Sequence, residues 1–286
     1  MNRCRRAICL ALFLTAMPTA FARADMSAAW AAYDRGDYRA AADLFRIEAE
    51  QGNADAQYMM GAIYNDGNIG PRDFATAAQW YQKAAAQDQS DAQNSLGYLY
   101  DFGLGVPRDQ SRAEKLYESA ALAGNLLARN NVAYEWAQGG QRLDEALAYA
   151  TEAVAKSPRN GAYEDTLGWV LYRLSRYADA LPPLCRAVRL DPGSPEIHSH
   201  LGDAFWRVGL VEDARMQWQN AYELADSRHL LSEDGGDFLY AEGDANFKAK
   251  MQQRLASGPP DAPAAGSVDH GAIEKAVNGG CDLPTS

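Results

Sequence analysis

The sequence predicts an all-α fold, a solenoid of about six helix-turn-helix repeats that ends in a capping helix. Residues 53–124 repeat with a period of 36 residues, and the chain from residue 127 repeats with a period of 34. Periods of this length are typical of stacked helical hairpins. Few windows show the alternating β-branched pattern of strands, and alanine is abundant, which suits helices that lie close together.

Residues 1–24 are predicted to be a signal peptide. Three arginines precede an apolar run from Ala7 to Met17, and Ala22-Arg23-Ala24 supplies a small-x-small cleavage pattern. The apolar run is shorter than the roughly 20 residues that span a bilayer, so a cleaved signal is favoured over a membrane anchor. We therefore expect a periplasmic or secreted product, cleaved after Ala24, that does not insert into the membrane.

The expected mature chain is strongly acidic. The whole sequence has a net charge of −11, and the loss of residues 1–24 removes four arginines and no acidic residue, which lowers the charge to −15. Such a surface repels phosphate backbones and anionic headgroups, so neither nucleic acid nor bulk membrane is an expected partner.

Two of the four cysteines, Cys4 and Cys9, would leave with the signal peptide. Cys185 and Cys281 would remain in a compartment that permits disulfides. A bridge between them would close a long loop and add roughly 4–5 kcal/mol in the chain-entropy model. The alternative is a helix cysteine and a free thiol in the tail.

Residues 25–52 are predicted to form an N-terminal helix pair with a Gly-Asp turn at 36–37. The second helix of this pair carries Ala41, Phe45 and Ala49, which lie 36 residues before apolar residues of the following unit. This spacing indicates that the pair extends the stack in the N-terminal direction.

Residues 53–124 are predicted to form two repeats, 53–88 and 89–124, which share 13 identities in 36 columns. Gly61 and Gly97 fall inside the first helix, where glycine costs up to about 1 kcal/mol relative to alanine. We expect the bare α-carbon to let the second helix approach closely.

The turn between the two helices repeats as well. Gly67 and Gly103 are expected to end the first helix, and Asp73 and Asp109 are expected to cap the second. These residues resemble the Sel-one-like repeat, a helix-turn-helix unit of this length, and the resemblance covers both copies.

Residues 125–228 are predicted to form three further repeats, whose 34-residue units begin at 127, 161 and 195. Small residues recur at the eighth place, Gly168 and Gly202, and at the twentieth, Ala180 and Ala214, where the two helices of a unit should pack closely. This pattern resembles the tetratricopeptide repeat. The unit at 127 is a weaker copy, because an Ala-Tyr pair replaces the Leu-Gly pair of the other two.

Residues 229–256 are predicted to hold a loop, which begins near residue 227, and then a capping helix around Asn246–Leu255. Solenoids need such a helix to cover the open end of the stack. Residues 257–286 are rich in proline, glycine and alanine, so a mostly disordered tail is expected.

Signals for enzymatic chemistry are weak. The sequence has no Gly-x-Ser-x-Gly elbow, His-Glu-x-x-His, Walker loop or dinucleotide fingerprint. His198 and His200 would point about 200° apart on a helix, so they cannot chelate one ion together. The acidic stretch Glu233–Asp244 lacks the spacing of a calcium loop. We therefore expect no enzymatic activity, no metal site and no cofactor.

The tetratricopeptide resemblance implies a concave binding surface, lined by the first helix of each unit. Aromatic and arginine side chains, which dominate binding hot spots, occur at the places that face it. The predicted partner-binding residues are Asn131, Glu135, Asp165, Trp169, Tyr172, Arg173, Ser199, Asp203, Trp206 and Arg207. Packing between neighbouring units is the alternative for the two tryptophans.

The leading hypothesis for function is a non-enzymatic scaffold or adaptor of the cell envelope, which binds a peptide or protein on the concave face. A subunit of an envelope assembly or polysaccharide-export complex is the alternative that the Sel-one-like resemblance implies. A β-lactam-binding or hydrolysing enzyme is disfavoured, because such repeats carry regularly spaced disulfides and units 53–88 and 89–124 contain no cysteine.

Overall fold

The computed structural model describes residues 26–231, 244–259 and 281, and every regular element in those residues is an α-helix. The helices in chain order are α1 (Met26–Asp34), α2 (Tyr38–Glu50), α3 (Ala54–Asp66), α4 (Phe74–Ala85), α5 (Ser90–Phe102), α6 (Gln110–Leu122), α7 (Leu126–Gly139), α8 (Leu143–Lys156), α9 (Gly161–Arg173), α10 (Tyr177–Leu190), α11 (Pro195–Arg207), α12 (Val211–Leu231) and α13 (Asp244–Ser257).

The helices stack in sequence order. Six pairs form, α1–α2 through α11–α12, and the second helix of each pair packs on the first helix of the next pair. First helices also touch each other directly, as α7 touches α9 and α9 touches α11. Helix α13 packs against α12 at the C-terminal end. The predicted all-α solenoid is therefore confirmed.

The helix boundaries follow the predicted turn chemistry. Gly67 and Gly103 end α3 and α5 with φ angles of 72° and 69°, which residues with a side chain adopt rarely. The carboxylates of Asp73 and Asp109 then accept hydrogen bonds from backbone N–H groups in the first turns of α4 and α6. These four capping predictions are confirmed.

Bare α-carbons let the two helices of a pair meet. A methyl group added to Gly61 would lie 2.4 Å from the ring of Tyr81, and one added to Gly97 would lie 2.9 Å from the ring of Tyr117. Carbon atoms pack at about 3.5–4.0 Å, so neither position has room for a side chain. The aromatic ring of the second helix fills the space that glycine leaves open.

The later repeats use the same device. A methyl group on Gly168 would come within 2.4 Å of Leu184, and one on Gly202 within 2.5 Å of Trp218. The side chain of Ala180 is fully buried. The backbone carbonyl oxygen of Ala180 would lie 3.3 Å from a methyl group added to Gly168. Glycine at the eighth place and alanine at the twentieth thus lie where the two helices of a pair meet.

Two boundaries near the C-terminus differ from the prediction or extend it. Helix α12 continues to Leu231, whereas a loop was predicted from residue 227. The sequence between 227 and 231 contains neither glycine nor proline, so nothing local ends the helix there. Helix α13 occupies Asp244–Ser257 and contains the whole predicted capping helix.

Several predictions fall outside the residues that the structure describes. These are the signal peptide at 1–24, most of the acidic stretch between 233 and 244, and most of the predicted tail. In the part of the chain that is described, no helix combines the length and the apolar character needed to cross a membrane.

Candidate binding surface

The predicted partner-binding residues lie on α7, α9 and α11 or at their ends, which are the first helices of the last three pairs. They form three sets: residues packed between neighbouring repeats, residues covered by α13 and the chain that follows it, and residues that keep part of their surface accessible. The sets differ in their contacts and therefore in what they can offer to a partner.

Trp169 belongs to the first set and packs between two repeats. Its ring stacks on Tyr172 of α9 at a centroid distance of 5.0 Å and on His200 of α11 at 4.2 Å. Only 7% of Trp169 is exposed, and burial raises the pKa of Tyr172 to about 12. The stacked rings join α9 to α11, which is the arrangement that the sequence offered as the alternative to partner binding.

Asp165 also connects these two helices. Its carboxylate oxygens lie 3.0 and 3.1 Å from Nδ1 of His200, and both residues are buried. Burial alone would lower the pKa of His200, but the carboxylate of Asp165, with smaller contributions from Glu196 and Asp203, outweighs burial and raises that pKa. The pair is a buried link between neighbouring repeats.

The other histidine of the predicted pair has different neighbours. Nδ1 of His198 lies 2.6 Å from the side-chain oxygen of Gln217, and its Nε2 lies 3.1 Å from the carbonyl oxygen of Pro192. Among the residues that the structure describes, no cluster of three histidine, cysteine or acidic side chains could hold a metal ion. The contacts of His198 and His200 link α11 to α12, to the loop before α11 and to α9.

Ser199 and Asp203 belong to the second set, because α13 covers them. Arg254 of α13 donates a hydrogen bond of 2.6 Å to Oγ of Ser199 and forms an ion pair with Asp203. Nε1 of Trp218 donates to the other carboxylate oxygen of Asp203 at 3.1 Å. Burial raises the pKa of Asp203, and the charge of Arg254 opposes that shift.

The chain after α13 lies against the C-terminal end of α11. A methyl group on Gly258 would come within 2.4 Å of the ring of Trp206, and that ring lies 5.6 Å from the ring of Trp218. The guanidinium of Arg207 sits 4.2 Å from the ring centre of Tyr177. The predicted binding residues of the last repeat are thus in contact with other parts of the same chain.

A disulfide joins Cys185 of α10 to Cys281, with 5.1 Å between the α-carbons and 96 residues of sequence separation. Cys185 is 4% exposed and lies in the apolar core formed by α10, α11 and α12. The bridge ties the C-terminal region to the last two repeats, so the structure favours the bridged alternative of the sequence analysis.

Asn131, Glu135 and Arg173 form the third set, and each is half-buried. Asn131 donates a hydrogen bond of 3.0 Å to the side-chain oxygen of Asn94 in the preceding repeat. Arg173 donates one of 2.8 Å to the carbonyl oxygen of Gln138 in α7. These residues bridge first helices and still present polar atoms to the surroundings.

Glu135 reaches a cleft of about 540 Å³ between α6 and α7, a volume within the usual range of ligand sites. Burial raises the pKa of Glu135, and the nearby carboxylates of Asp101 and Glu114 raise it further. A hydrogen bond from Gln110 and the charge of Arg108 act in the opposite direction. Glu135 therefore lies near two other carboxylates and one guanidinium.

Two basic residues, Lys115 and Arg142, also line this cleft, and Arg142 already has partners. Arg142 forms ion pairs with Glu145 and Glu118, and its guanidinium lies 3.8 Å from the ring centre of Trp136. Its charge is therefore directed at Glu145 and Glu118, while Glu135 interacts with two other carboxylates.

Sequence reasoning missed Arg254, which contacts two of the predicted partner-binding residues, Ser199 and Asp203. Met251 and Arg254 are spaced three apart on α13 and are both buried, so they share the face that packs on the stack. The chemical clue is that a carboxylate buried at Asp203 needs a cation, and the capping helix carries one in Arg254. The repeat period could not reveal it, since α13 lies outside the repeats.

The fold and this surface define a protein built from tandem helical hairpins. The family model described as the Sel1 repeat matches residues 54–89 and 90–125, and a tetratricopeptide repeat model matches residues 166–229. The chain therefore contains two Sel1 repeats and a segment of tetratricopeptide repeats. Helices α7 and α8 lie between the two matched regions.

The chain is similar to a TPR repeat-containing thioredoxin, TTL4, of Arabidopsis thaliana, with 35% identity over 71 residues. The match covers 25% of this chain and only 10% of the plant protein, so the chain spans about a tenth of that relative's length.

Two solved structures are similar to the whole stack. A Sel1 repeat protein from Oxalobacter formigenes has a TM-score of 0.52 and 20% identity, and the match covers 82% of this chain and 100% of that one. The protein c5321, a protective antigen of uropathogenic Escherichia coli strains with an SLR fold, has a TM-score of 0.54 and 21% identity, with coverages of 90% and 54%. At these identities the likeness concerns the fold.

Proposed function

We propose that this protein is a non-enzymatic adaptor of the cell envelope, which holds a peptide segment or partner protein along the first helices of its repeats. Sel1 and tetratricopeptide repeats generally mediate protein–protein interactions. The observation that carries the proposal is the set Asn131, Glu135 and Arg173, whose side chains stay partly accessible on neighbouring first helices. Polar and arginine side chains on a rigid scaffold are suited to partner recognition.

The location in the envelope is supported by the sequence pattern of residues 1–24 and by the disulfide between Cys185 and Cys281. Disulfides persist in oxidising compartments and are rare in the cytosol. The acidic surface that remains after the loss of residues 1–24 directs the choice of partner towards proteins with basic regions.

Crosslinking in the native envelope followed by affinity purification tests the proposal. The informative variant is Asn131→Ala/Arg173→Ala, because both side chains are half-buried and their removal leaves the repeat cores intact. Substitution of Trp169 is less useful, since its loss would open a cavity between α9 and α11. A matched control is Arg189→Ala/Gln219→Ala, which likewise removes one guanidinium and one carboxamide, from exposed positions of α10 and α12.

The proposal predicts that Asn131→Ala/Arg173→Ala recovers less partner than the wild type, while the control recovers the same amount. Equal recovery by all three proteins would remove the first-helix surface from consideration. Recovery of a fixed, stoichiometric complex in place of an exchangeable partner would favour the alternative of a subunit in an envelope assembly.

A further inference from the structure

Glu135 and Asp203 occupy the same place in two repeats. Each is the ninth residue of its 34-residue unit, in the units that begin at 127 and 195. In the second of these units the carboxylate already binds a cation, because Arg254 pairs with Asp203 and bonds to Ser199 beside it. The protein thus contains an internal example of an arginine held at the ninth place.

The corresponding place in the earlier unit is open to the cleft between α6 and α7. Glu135 lines this cleft together with Glu114 and Gln110 of α6, and Val132 forms part of the apolar wall. The carboxylate of Glu114 is exposed, whereas that of Glu135 is half-buried. A long basic side chain could lay its apolar stem along such a wall and bring its charged end to the carboxylates.

Two carboxylates and one cation act on Glu135, which leaves an excess of negative charge for a cationic ligand, and Lys115 also lines the cleft. Asp101 and Glu114 both act on the carboxylate of Glu135 with the same sign of charge. Bringing a cation to this position would relieve that repulsion. At Asp203 the charge of Arg254 instead offsets the cost of burial. Arg142, which also lines the cleft, forms ion pairs with Glu118 and Glu145.

We propose that the cleft between α6 and α7 binds an arginine- or lysine-bearing segment of a partner protein, with Glu135 and Glu114 as the acceptors of its charge. This inference rests on the proposed adaptor function and names the chemistry of the partner. The last repeat binds the chain's own Arg254, and the repeat at 127 offers the equivalent position to another molecule.

Fluorescence anisotropy with the full-length protein tests the proposal. The probe is a labelled, flexible Gly-Ser peptide that contains spaced arginines, and its counterpart carries neutral citrulline at the same positions. Glu114→Gln/Glu135→Gln removes two charges from the cleft with little change of shape. Glu50→Gln/Glu223→Gln removes two charges from exposed positions of α2 and α12 and serves as the matched control.

The expected result is that the arginine peptide binds the wild type about tenfold more tightly than the citrulline peptide, and that Glu114→Gln/Glu135→Gln removes that preference. The control double variant should keep the preference, although it has the same net charge. An equal loss in both double variants, or equal binding of both peptides by the wild type, would overturn the proposal.

A single variant and a comparison of partner recovery complete the test. Glu114 is exposed, so the single variant Glu114→Gln decides the question if circular dichroism shows that the double variant has lost helix. If Asn131→Ala/Arg173→Ala lowers partner recovery from the envelope while Glu114→Gln/Glu135→Gln does not, the adaptor function stands and only the basic-segment inference fails.

Discussion

Gly168 lies where α10 comes closest to α9, and a methyl group there would sit 2.4 Å from Cγ of Leu184. We expect Gly168→Ala to destabilise the protein by about 1–3 kcal/mol, because one of the helices must move to admit the methyl group. Thermal denaturation measures the effect. Gly139→Ala is the control, since its methyl group would meet only the flexible side chain of Gln141, at 3.6 Å or more. Equal midpoints for both variants would contradict the predicted contact.

The buried pair of His200 and Asp165 makes stability depend on pH. The pKa of His200 is raised in the folded protein, so the charged ring stabilises the contact between α9 and α11. This contribution is fully present below the unfolded pKa of about 6.5 and is lost as the pH rises through the folded pKa. We therefore expect the wild-type stability to fall over that interval above pH 6.5.

Urea denaturation of the wild type and of His200→Gln between pH 6 and pH 9 measures this dependence. Glutamine can keep a hydrogen bond to Asp165 but does not titrate in this range. The difference in unfolding free energy between the two proteins should shrink as the pH rises. A difference that stays constant across the interval would show that His200 remains in one protonation state.

At single positions, the sequence predicted the contacts between the two helices of a repeat. It did not predict which surface residues other parts of the chain would cover. The columns of glycine and alanine pointed to close helix pairs because both partners of the contact lie in one period. Asp203 and Trp206 are instead covered by Arg254 and Gly258, which lie outside the repeats and so have no fixed spacing from them. Residues outside the period could be recognised only from their own chemistry.

At the scale of the helix, the repeat pattern outweighs local propensity. Pro182 and Pro183 lie inside α10, which continues from Tyr177 to Leu190 although proline removes helix hydrogen bonds and disturbs the preceding turn. Leu181 and Leu184 on either side are fully buried against neighbouring helices. The apolar contacts of the stack hold these residues in a helix that isolated propensity would end.

A buried ion pair between Arg254 and Asp203 adds to the apolar contacts that hold α13 on the stack. We expect Arg254→Met to release α13, because it leaves the carboxylate of Asp203 buried without its cation, at a cost of about 3–5 kcal/mol. Hydrogen exchange at the amides of α13 should accelerate, while exchange in α3–α6 stays unchanged. Uniform acceleration along the chain would mean that the ion pair supports the whole stack.

The double variant Asp203→Asn/Arg254→Met separates the pair from the packing of its members. Asparagine keeps an oxygen acceptor for Nε1 of Trp218 and removes the charge that Arg254 balances. The double variant should therefore be more stable than Arg254→Met alone. If the losses of stability from Asp203→Asn and from Arg254→Met simply add, another group must balance the charge of Asp203.

At the scale of the whole molecule, the two ends of the stack are built differently. The N-terminal pairs depend on alanine and aromatic residues within a nearly one-dimensional row, where each repeat touches only its neighbours. At the C-terminal end, α13 and the bridge from Cys185 to Cys281 add contacts between distant parts of the sequence. Stability is therefore expected to be concentrated in α9 to α13.

Loss of the bridge tests this distribution of stability. Cys185→Ala/Cys281→Ala opens a loop of 96 residues, and the chain-entropy model gives a loss of about 4–5 kcal/mol. Since the stack need not unfold as a single unit, the effect should appear as faster hydrogen exchange in α9 to α13 and little change in α1 to α6.

Reductant should have the same effect on the wild type and none on the variant, which serves as the control. If the oxidised wild type, the reduced wild type and the variant exchange at the same rates in α9 to α13, then α13 and the repeat contacts hold this end of the molecule without the covalent bond.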